Sequence, residues 1–299
     1  MKKTAFCKIN LTLEILGTKR GDGFHDLKTV MHKIPLGDIV ELSVKDGDGK
    51  IDLLCDSNVC APEENLAYRA ATVFLDLYKA KTGKSANVSI SLSKITPTGA
   101  GLGGGSADAA AVLDMLAYKL GEVSDSEVVE LAGKLGSDVP FCLDRYMSAY
   151  CIGRGEICES IDTLPQNTCL VVAKPMEGIN TKGIYGEYDK AFGDDYSKDA
   201  SDKMRKALSE GNLSGVADVM TNDFEKVCIP RLPEIEVIKD KMKKNGALCS
   251  MMSGSGSAVY GLFDNSDSCA ECYNALKAYG LSEVFAFYDT DFQKMYKGE

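Results

Sequence analysis

Residues 97–113, the most informative stretch of the sequence, read Pro-Thr-Gly-Ala-Gly-Leu-Gly-Gly-Gly-Ser-Ala-Asp-Ala-Ala-Ala-Val-Leu. Five glycines lie between Gly99 and Gly105, and helix-forming residues follow directly. Glycine keeps side chains away from a ligand and tolerates positive φ. A helix that begins at such a loop directs unpaired N–H groups and the positive end of its dipole into the loop. Because that arrangement binds phosphate, the stretch predicts a nucleotide or another phosphorylated ligand.

The composition restricts the class of protein. A chain of 299 residues that is 44% hydrophobic can bury a sizeable core in one large or two medium domains. The net charge of −10 and the lack of a long Lys/Arg cluster argue against a nucleic-acid partner. No apolar run reaches the roughly 18 residues that span a bilayer, so no membrane partner is predicted. Eleven cysteines, an odd number, predict reduced thiols and a cytoplasmic location.

Periodicity predicts a mixture of strands and helices without regular alternation. Strands are predicted at 4–16, 28–35, 38–45, 50–55, 86–93, 146–152, 168–174, 247–252, 257–264 and 282–289. Helices are predicted at 63–82, from the glycine loop to Gly121, at 124–135, over most of 181–244, and at 266–279. The strand predicted at 282–289 is the last element. This pattern indicates an α+β protein of two domains, residues 1–160 and 161–299.

The glycine loop has three other interpretations. Gly99–Gly104 contains GxGxxG, the pattern of a dinucleotide-binding Rossmann loop. The segment before it alternates with serine at positions 89, 91 and 93, as a half-solvated antiparallel strand does, whereas a Rossmann loop follows a buried parallel strand. A P-loop would require GxxxxGK[ST], and Gly83-Lys84-Ser85 lacks the upstream glycine. The third interpretation is a glycine-rich connector that binds nothing.

Three further segments carry candidate chemistry. Lys8 and Asn10 lie on the polar face of an otherwise apolar strand, and Gly136–Phe141 places Asp138 in a tight, apolar-flanked turn. Met252–Ser257 is a second turn of small residues. Taken singly, these are a solvated strand face, a turn aspartate bonded to its own backbone, and a hairpin. Cys269-Ala-Glu-Cys272 lacks two further ligands for a metal and is interpreted as two thiols on one helix.

Together the motifs resemble those of the GHMP superfamily of small-molecule kinases. The order is Lys-Ile-Asn near the start, the glycine loop, Gly136–Phe141, and then Met-Ser-Gly-Ser-Gly. Residues 22–27, Asp-Gly-Phe-His-Asp-Leu, resemble the branch whose acceptor is a cytidine-diphosphate-linked polyol of the non-mevalonate isoprenoid pathway. The resemblance implies an N-terminal ribosomal protein S5 domain 2-like domain and a ferredoxin-like C-terminal domain. It also implies ATP as co-substrate, Mg²⁺, a 2-hydroxyl acceptor, and a monomer or homodimer.

The resemblance also implies residue roles. Asp138 would be the general base, Lys8 would stabilise charge beside it, and Asn10 would orient the acceptor. The ATP-binding set would be Asn65, Lys94, Pro97, Gly99, Gly101, Gly103, Gly104, Gly105 and Ser106. The acceptor set would be Asn10, Phe24, His25, Asp138, Thr181 and Tyr185. Ser106 is the candidate protein ligand for Mg²⁺, and Asp108 is expected to face away from phosphate or to act through the metal.

Two alternative functions stay open at this point. One is a sister kinase whose acceptor is homoserine, mevalonate or a sugar, which the pair Phe24-His25 disfavours. The other is a nucleotide-binding regulator without catalysis, which the presence of both Lys8 and Asp138 disfavours.

Overall fold

A computed structural model describes residues 1–17, 25–57, 60–179, 183–192 and 198–298. In these ranges the strands are β1 Lys2–Leu16, β2 Asp26–Asp46, β3 Ile51–Cys55, β4 Ala86–Ser93, β5 Ser148–Gly153, β6 Ile157–Ser160, β7 Cys169–Ala173, β8 Thr221–Asn222, β9 Cys249–Met252, β10 Val259–Phe263 and β11 Val284–Phe287. The helices are α1 Leu66–Thr82, α2 Gly104–Leu120, α3 Asp125–Leu135, α4 Val139–Cys142, α5 Ile184–Phe192, α6 Ala200–Ser209, α7 Leu213–Val219, α8 Glu225–Arg231, α9 Glu234–Lys244, α10 Ser266–Tyr279 and α11 Asp289–Lys297.

The chain forms two compact units, and each is built from several segments. The first contains Met1–Lys8, Leu36–Thr98 and Gly103–Tyr146, and the second contains Ile9–Pro35, Gly99–Leu102 and Met147–Glu299. Strands β1 and β2 therefore contribute residues to both units. The division into domains 1–160 and 161–299 stays a prediction.

The first unit packs helices on a sheet of order β3-β4-β2-β1. Strand β4 pairs antiparallel with β2 and parallel with β3. Helices α1 and α2 bury Phe74, Val112 and Leu116 completely. Sequence signals set their ends, since Asn65 caps α1 through the Ala67 N–H and Gly83 ends α1 in the left-handed region.

The second unit contains two sets of strands. One has the order β6-β5-β2-β1-β8, and the other is an antiparallel sheet of order β11-β7-β10-β9. Numbered along the chain, the four strands of the latter sheet lie in the order 4-1-3-2, with helices between β7 and β9 and between β10 and β11. This is the ferredoxin-like βαββαβ arrangement, so the predicted class, α+β with a ferredoxin-like C-terminal part, is confirmed. Its core includes Val171, Ile235, Val259, Phe263 and Leu276.

The prediction of two separate strands, 28–35 and 38–45 with a turn at Gly37-Asp38, is wrong. Strand β2 runs without interruption through both residues. A Cβ on Gly37 would lie 2.6 Å from the backbone oxygen of Ala5, so this glycine permits a close approach of β1 rather than a turn. Asp38 is fully buried on this strand.

Four of these elements have no counterpart in the prediction: α4, β6, β8 and α11. The short strand β6 pairs only along β5, and α11 follows β11, where the prediction ends the chain with a strand. Helix α11 buries Phe292 and Met295. None of the helices in the described ranges is both long and apolar enough to cross a membrane.

Candidate active site

Lys8 and Asp138 form an ion pair in the first unit. The Lys8 Nζ atom lies 3.3 Å from Asp138 Oδ2; the Lys8 side chain is 3% exposed and that of Asp138 is 35% exposed. Asp138 stands at the start of α4 and makes no capping hydrogen bond with its side chain. A carboxylate that solvent reaches, held by a buried ammonium, can contact a substrate hydroxyl while the ammonium stabilises negative charge that develops there.

Gly103 packs directly against this pair. Its φ is +72°, and a Cβ there would lie 3.1 Å from Lys8 Cγ and 3.7 Å from Asp138 Oδ2. Gly104 then begins α2, so the unpaired N–H groups of the first turn follow immediately in the chain. Gly105 is exposed and Ser106 is half-buried. The predicted catalytic pair and the second half of the glycine loop are therefore neighbours, next to a helix N-terminus that suits an anion.

A buried carboxylate–ammonium–carboxylate cluster lies beneath the start of α2. Lys94 Nζ contacts Asp38 Oδ2 and lies 2.5 Å from Asp108 Oδ2. Asp38 Oδ1 accepts hydrogen bonds from the N–H groups of Ile95 and Thr96, at 2.6 and 2.7 Å. We call Asp38, Lys94 and Asp108 the Lys94 cluster. It joins strand β2, the segment after β4 and the second turn of α2.

Burial dominates the electrostatics of the Lys94 cluster. It raises the pKa of the Asp108 carboxyl to about 6, and Lys94 opposes that rise. Burial alone would lower the pKa of the Lys94 ammonium, but the Asp108 and Asp38 carboxylates outweigh it and hold that pKa above its usual value. Asp108 Oδ1 is buried without a hydrogen-bond partner among the described residues. Asp108 thus points its carboxylate at Lys94, and the Lys94 ammonium is occupied by protein carboxylates.

Cys7, beside Lys8 in sequence, belongs to this buried environment. Burial raises the pKa of its thiol well above the usual range, and the Asp38 carboxylate adds to the rise. Asn65, predicted on the nucleotide side, accepts the Ala67 N–H at 2.9 Å as the cap of α1. Pro97 is buried.

In the second unit, the turn at Ser253–Ser257 holds the first half of the glycine loop. Ser253 Oγ donates to the Gly101 carbonyl at 3.1 Å, and the Ala258 N–H donates to the Ala100 carbonyl at 3.0 Å. A Cβ on Gly101 would lie 2.1 Å from the Ser253 carbonyl oxygen. The late Ser-Gly-Ser-Gly motif therefore supports the conformation of the glycine loop.

Asn10 is also fixed within the second unit. Its Nδ2 donates to Thr29 Oγ1 at 2.9 Å, and Thr29 Oγ1 donates to the Thr12 carbonyl at 2.6 Å. Tyr260 Oη donates to the Asn10 carbonyl at 2.7 Å. Asn10 is only 2% exposed, so its side chain has one well-defined orientation.

His25 and Tyr185 form a stacked pair in the same unit. Their ring centroids are 5.0 Å apart with an interplanar angle of 5°. His25 is buried, its Nε2 lies 3.3 Å from Asp189 Oδ2, and Tyr185 is 38% exposed. The structure brings these two predicted acceptor residues together. Phe24 and Thr181, predicted to serve the same acceptor, lie outside the described residues.

Two family models match the chain. "GHMP kinases N terminal domain" matches residues 65–145, and "GHMP kinases C terminal" matches residues 204–281. The chain belongs to the GHMP kinases. Several relatives of this GHMP kinase carry the name 4-diphosphocytidyl-2-C-methyl-D-erythritol kinase. One of them, from Clostridium acetobutylicum, is 37% identical over 93% of this chain and 96% of that protein. Another relative with this name, from Clostridium botulinum (strain Langeland), is 39% identical over 95% of this chain and 98% of that protein.

Solved structures agree with this placement. The crystal structure of a 4-(cytidine 5'-diphospho)-2C-methyl-D-erythritol kinase matches with a TM-score of 0.76 and 32% identity, over 96% of this chain and 98% of that one. The crystal structure of a homoserine kinase from Cytophaga hutchinsonii matches with a TM-score of 0.72 over 96% of this chain and 93% of that one. Its sequence identity is 16%, so this match shows a shared fold. This GHMP kinase is therefore a phosphotransferase of the 4-diphosphocytidyl-2-C-methyl-D-erythritol kinase branch, which confirms the resemblance inferred from its motifs.

Sequence reasoning missed Asp38 and Thr29, and it singled out Met252–Ser257 without the role of Ser253 in organising the site of this GHMP kinase. Asp38 was hidden because Gly37-Asp38 has the composition of a turn. Thr29 and Ser253 are small polar residues whose partners, Asn10 and Gly101, lie far away in sequence. No local signal marks Thr29, because Lys28 before it and His32 after it are polar as well.

Proposed function

We propose that this GHMP kinase transfers the γ-phosphoryl group of ATP to the 2-hydroxyl of 4-diphosphocytidyl-2-C-methyl-D-erythritol. The names of its relatives over nearly the whole chain support the choice of acceptor. The observation that carries the chemistry is the Lys8–Asp138 pair, with a carboxylate that solvent reaches, packed against Gly103 of the glycine loop.

Phosphoryl transfer depends mainly on positioning and charge stabilisation. In this proposal the acceptor hydroxyl donates a hydrogen bond to Asp138, which takes its proton as the oxygen attacks the γ-phosphorus. Lys8 stabilises the negative charge on the attacking oxygen and the transferred phosphoryl group. The bond from the γ-phosphorus to the bridging oxygen breaks, and ADP leaves with that oxygen.

The glycine loop is assigned to the phosphates of ATP. Backbone N–H groups of Gly99, Gly101 and Gly103–Ser106 would contact the β- and γ-phosphates, in keeping with the helix N-terminus at Gly104. Asn65, Lys94 and Pro97 are assigned to the adenosine side. Because the Asn65 side-chain oxygen caps α1 and the Lys94 ammonium contacts two carboxylates, their remaining atoms would make these contacts.

Mg²⁺ is proposed to accompany ATP. The described residues contain no group of three or more Cys, His, Asp or Glu side chains able to hold a metal. Mg²⁺ often takes one or two protein oxygens and completes its octahedron with phosphates and water, so the half-buried Ser106 hydroxyl fits as a single ligand. When bound, Mg²⁺ neutralises phosphate charge.

The acceptor is assigned to Asn10, His25 and Tyr185, with Phe24 and Thr181 added on the family resemblance. The exposed Tyr185 ring offers an aromatic surface of the kind on which a base stacks. His25 brings ring nitrogens that suit the edge of cytosine, and Asn10 holds a fixed amide beside Thr29.

Substitution Asp138→Asn tests the catalytic assignment. We expect kcat for acceptor-dependent ADP release to fall about 10²–10⁴-fold, because the amide cannot take the proton. Asp144→Asn is the matched control, since Asp144 also pairs with a lysine of β1, Lys3, but is 64% exposed and has no assigned role. A kcat near that of the unchanged protein in Asp138→Asn contradicts the mechanism. A regulator without catalysis would show no acceptor-dependent turnover in any form.

Cytidine diphosphate tests the acceptor class. We expect CDP to inhibit competitively against the acceptor, and UDP, which differs only at the base edge, to inhibit far more weakly. Turnover of homoserine or mevalonate with no effect of CDP would assign the chain to a sister kinase activity instead.

A further inference from the structure

Two cysteines face each other across the hairpin formed by β5 and β6. Cys151 and Cys158 are direct partners in the antiparallel register, and their Sγ atoms lie 3.0 Å apart. Neither cysteine is part of a disulfide in the structure. Residues 154–156 connect the two strands; Gly153, the last residue of β5, has a φ of +74°, and Gly155 in the connection has a φ of +105°. The pair lies outside the residues assigned to catalysis or to ligand binding.

The backbone pairing itself brings these side chains close. The Ile161 N–H donates to the Ser148 carbonyl at 3.2 Å, so Ser148 opposes Ile161 in a hydrogen-bonded pair. Hydrogen-bonded and non-hydrogen-bonded pairs alternate along an antiparallel ladder. Cys151 and Cys158 lie three residue pairs along the ladder from Ser148 and Ile161, so the alternation makes them a non-hydrogen-bonded pair. Such pairs have Cα atoms about 4.5 Å apart, which lies within the range that a disulfide spans.

The two thiols differ in their access to solvent. Cys151 is completely buried, whereas Cys158 is partly exposed on the edge strand β6. A small oxidant therefore reaches Cys158 first, and Cys151 lies behind it in position to complete the reaction. This is the usual division between an attacking and a resolving thiol.

We propose that Cys151 and Cys158 form an intramolecular disulfide when the protein meets a low-molecular-weight disulfide such as glutathione disulfide. The Cys158 thiolate attacks one sulfur of the oxidant, the oxidant's S–S bond breaks, and one small thiol leaves. The Cys151 thiolate then attacks Cys158 Sγ of the mixed disulfide and releases the second small thiol. Two protein thiols are oxidised and lose two protons, and the oxidant is reduced to two thiols.

Another thiol pair and an exposed thiol provide the competing outcomes. Cys169 and Cys269 influence each other's pKa, but Cys269 is completely buried in the core of the second unit, where its thiol contacts the Leu170 carbonyl. Burial raises the pKa of the Cys269 thiol to about 12, which suppresses its thiolate. Cys60 is exposed and would accept a mixed disulfide from the same oxidant.

The test uses the reduced full-length protein incubated with glutathione disulfide at pH 8 and then quenched with an alkylating reagent. We expect two fewer free thiols from the internal bond and a rise of about 2–5 °C in Tm, because the bond restrains the unfolded chain. Trypsin cleaves at Arg154, between the two cysteines, so mass spectrometry should find two linked peptides. Cleavage at Glu159 separates Cys158 from Cys169 and assigns the bond.

Variants separate this proposal from general thiol oxidation. Cys60→Ser should form the internal bond as the unchanged protein does, and Cys158→Ser should show neither the linked peptides nor the rise in Tm. Cys151→Ala should stop at a mixed disulfide on Cys158. The proposal is overturned if the bond maps to Cys169–Cys269, or if Cys158 carries stable glutathione while Cys151 stays reduced.

Discussion

At the residue scale, the absence of one side chain shapes the catalytic pair. Gly103 has a positive φ, and its missing Cβ leaves room for the Lys8 methylene chain beside Asp138. Glycine is needed here both for its conformation and for the space it leaves. These two requirements can be separated, because Gly83 and Gly121 of the first unit also have a positive φ but no atom within 4 Å of an added Cβ.

Substitution Gly103→Ala should therefore damage activity as well as stability. The Cβ would press on Lys8 Cγ at 3.1 Å and displace the ammonium from Asp138, so we expect kcat to fall at least about tenfold. Gly83→Ala is the matched control, since Gly83 has a φ of +71° and nothing within 4 Å of the added Cβ. It should lose about 1–2 kcal/mol of stability with unchanged kcat. Equal kcat values in the two variants would contradict the role given to the space beside Lys8.

Single residues also show how far sequence reasoning reaches. Lys8 and Asp138 stand out because a polar residue in an apolar strand and an acid in a tight turn are visible locally. Their contact bridges 130 positions, and only the fold brings the two side chains together. Asp38 could not be found in this way, because its partners Lys94 and Asp108 follow it by 56 and 70 positions.

At the scale of elements, the Lys94 cluster fixes the segment between β4 and α2. Asp38 on β2 accepts hydrogen bonds from the N–H groups of Ile95 and Thr96, while Lys94 ties this segment to Asp108 in the second turn of α2. Both carboxylates are almost completely buried, with side-chain exposures of 0% and 3%. Each would be an uncompensated buried charge without the ammonium between them.

Substitution Lys94→Met should be strongly destabilising. We expect the free energy of unfolding to fall by about 3–5 kcal/mol, because removing one partner of a buried ion pair leaves the other charge unpaired. Lys134→Met is the matched control, since Lys134 and Glu130 form an exposed i,i+4 pair on α3, and it should change the free energy by less than about 0.5 kcal/mol. Urea unfolding monitored by circular dichroism measures both. Similar values for the two variants would show that the cluster does not hold this segment.

The accuracy of the predicted elements follows from how local their signals are. Strand β4 and helix α10 match the predicted bounds, because strict alternation in one and the Asn265 cap and Gly280 end in the other are signals within the segment. Strand β2 was divided in two because a glycine that permits close packing has the same composition as a turn. Helix α11 is short, and its apolar residues gain meaning only from the surface that they cover.

At the scale of the whole molecule, one buried histidine links stability to pH. His32 on β2 contacts Ser148 Oγ through Nδ1 at 2.6 Å and Tyr296 Oη through Nε2 at 3.2 Å. Burial lowers the pKa of His32 to about 3, far below its ordinary value of 6.5. Burial also raises the pKa of Tyr296 to about 12, so both groups of this contact stay neutral over a wide range of pH.

The sign of the pH effect follows from the lowered pKa of His32. Between pH 6.5 and pH 3 the unfolded chain binds a proton at His32 that the folded protein excludes, so stability falls as the pH falls. From pH 6.5 to pH 4.5 this one group should remove about 2 kcal/mol from the free energy of unfolding. Its contribution is complete above pH 6.5 and is lost progressively as the pH falls toward 3.

Substitution His32→Gln isolates this contribution, because glutamine keeps a donor and an acceptor but does not titrate in this range. The variant should be less stable than the unchanged protein at pH 7, yet lose less stability on acidification, so the two curves of unfolding free energy against pH should converge by pH 4.5. Urea titrations at half-unit steps of pH measure both curves, and the carboxylates common to both proteins cancel in the difference. Parallel curves would mean that His32 takes up its proton in the folded state as readily as in the unfolded chain, which a completely buried imidazole between Ser148 and Tyr296 should not do.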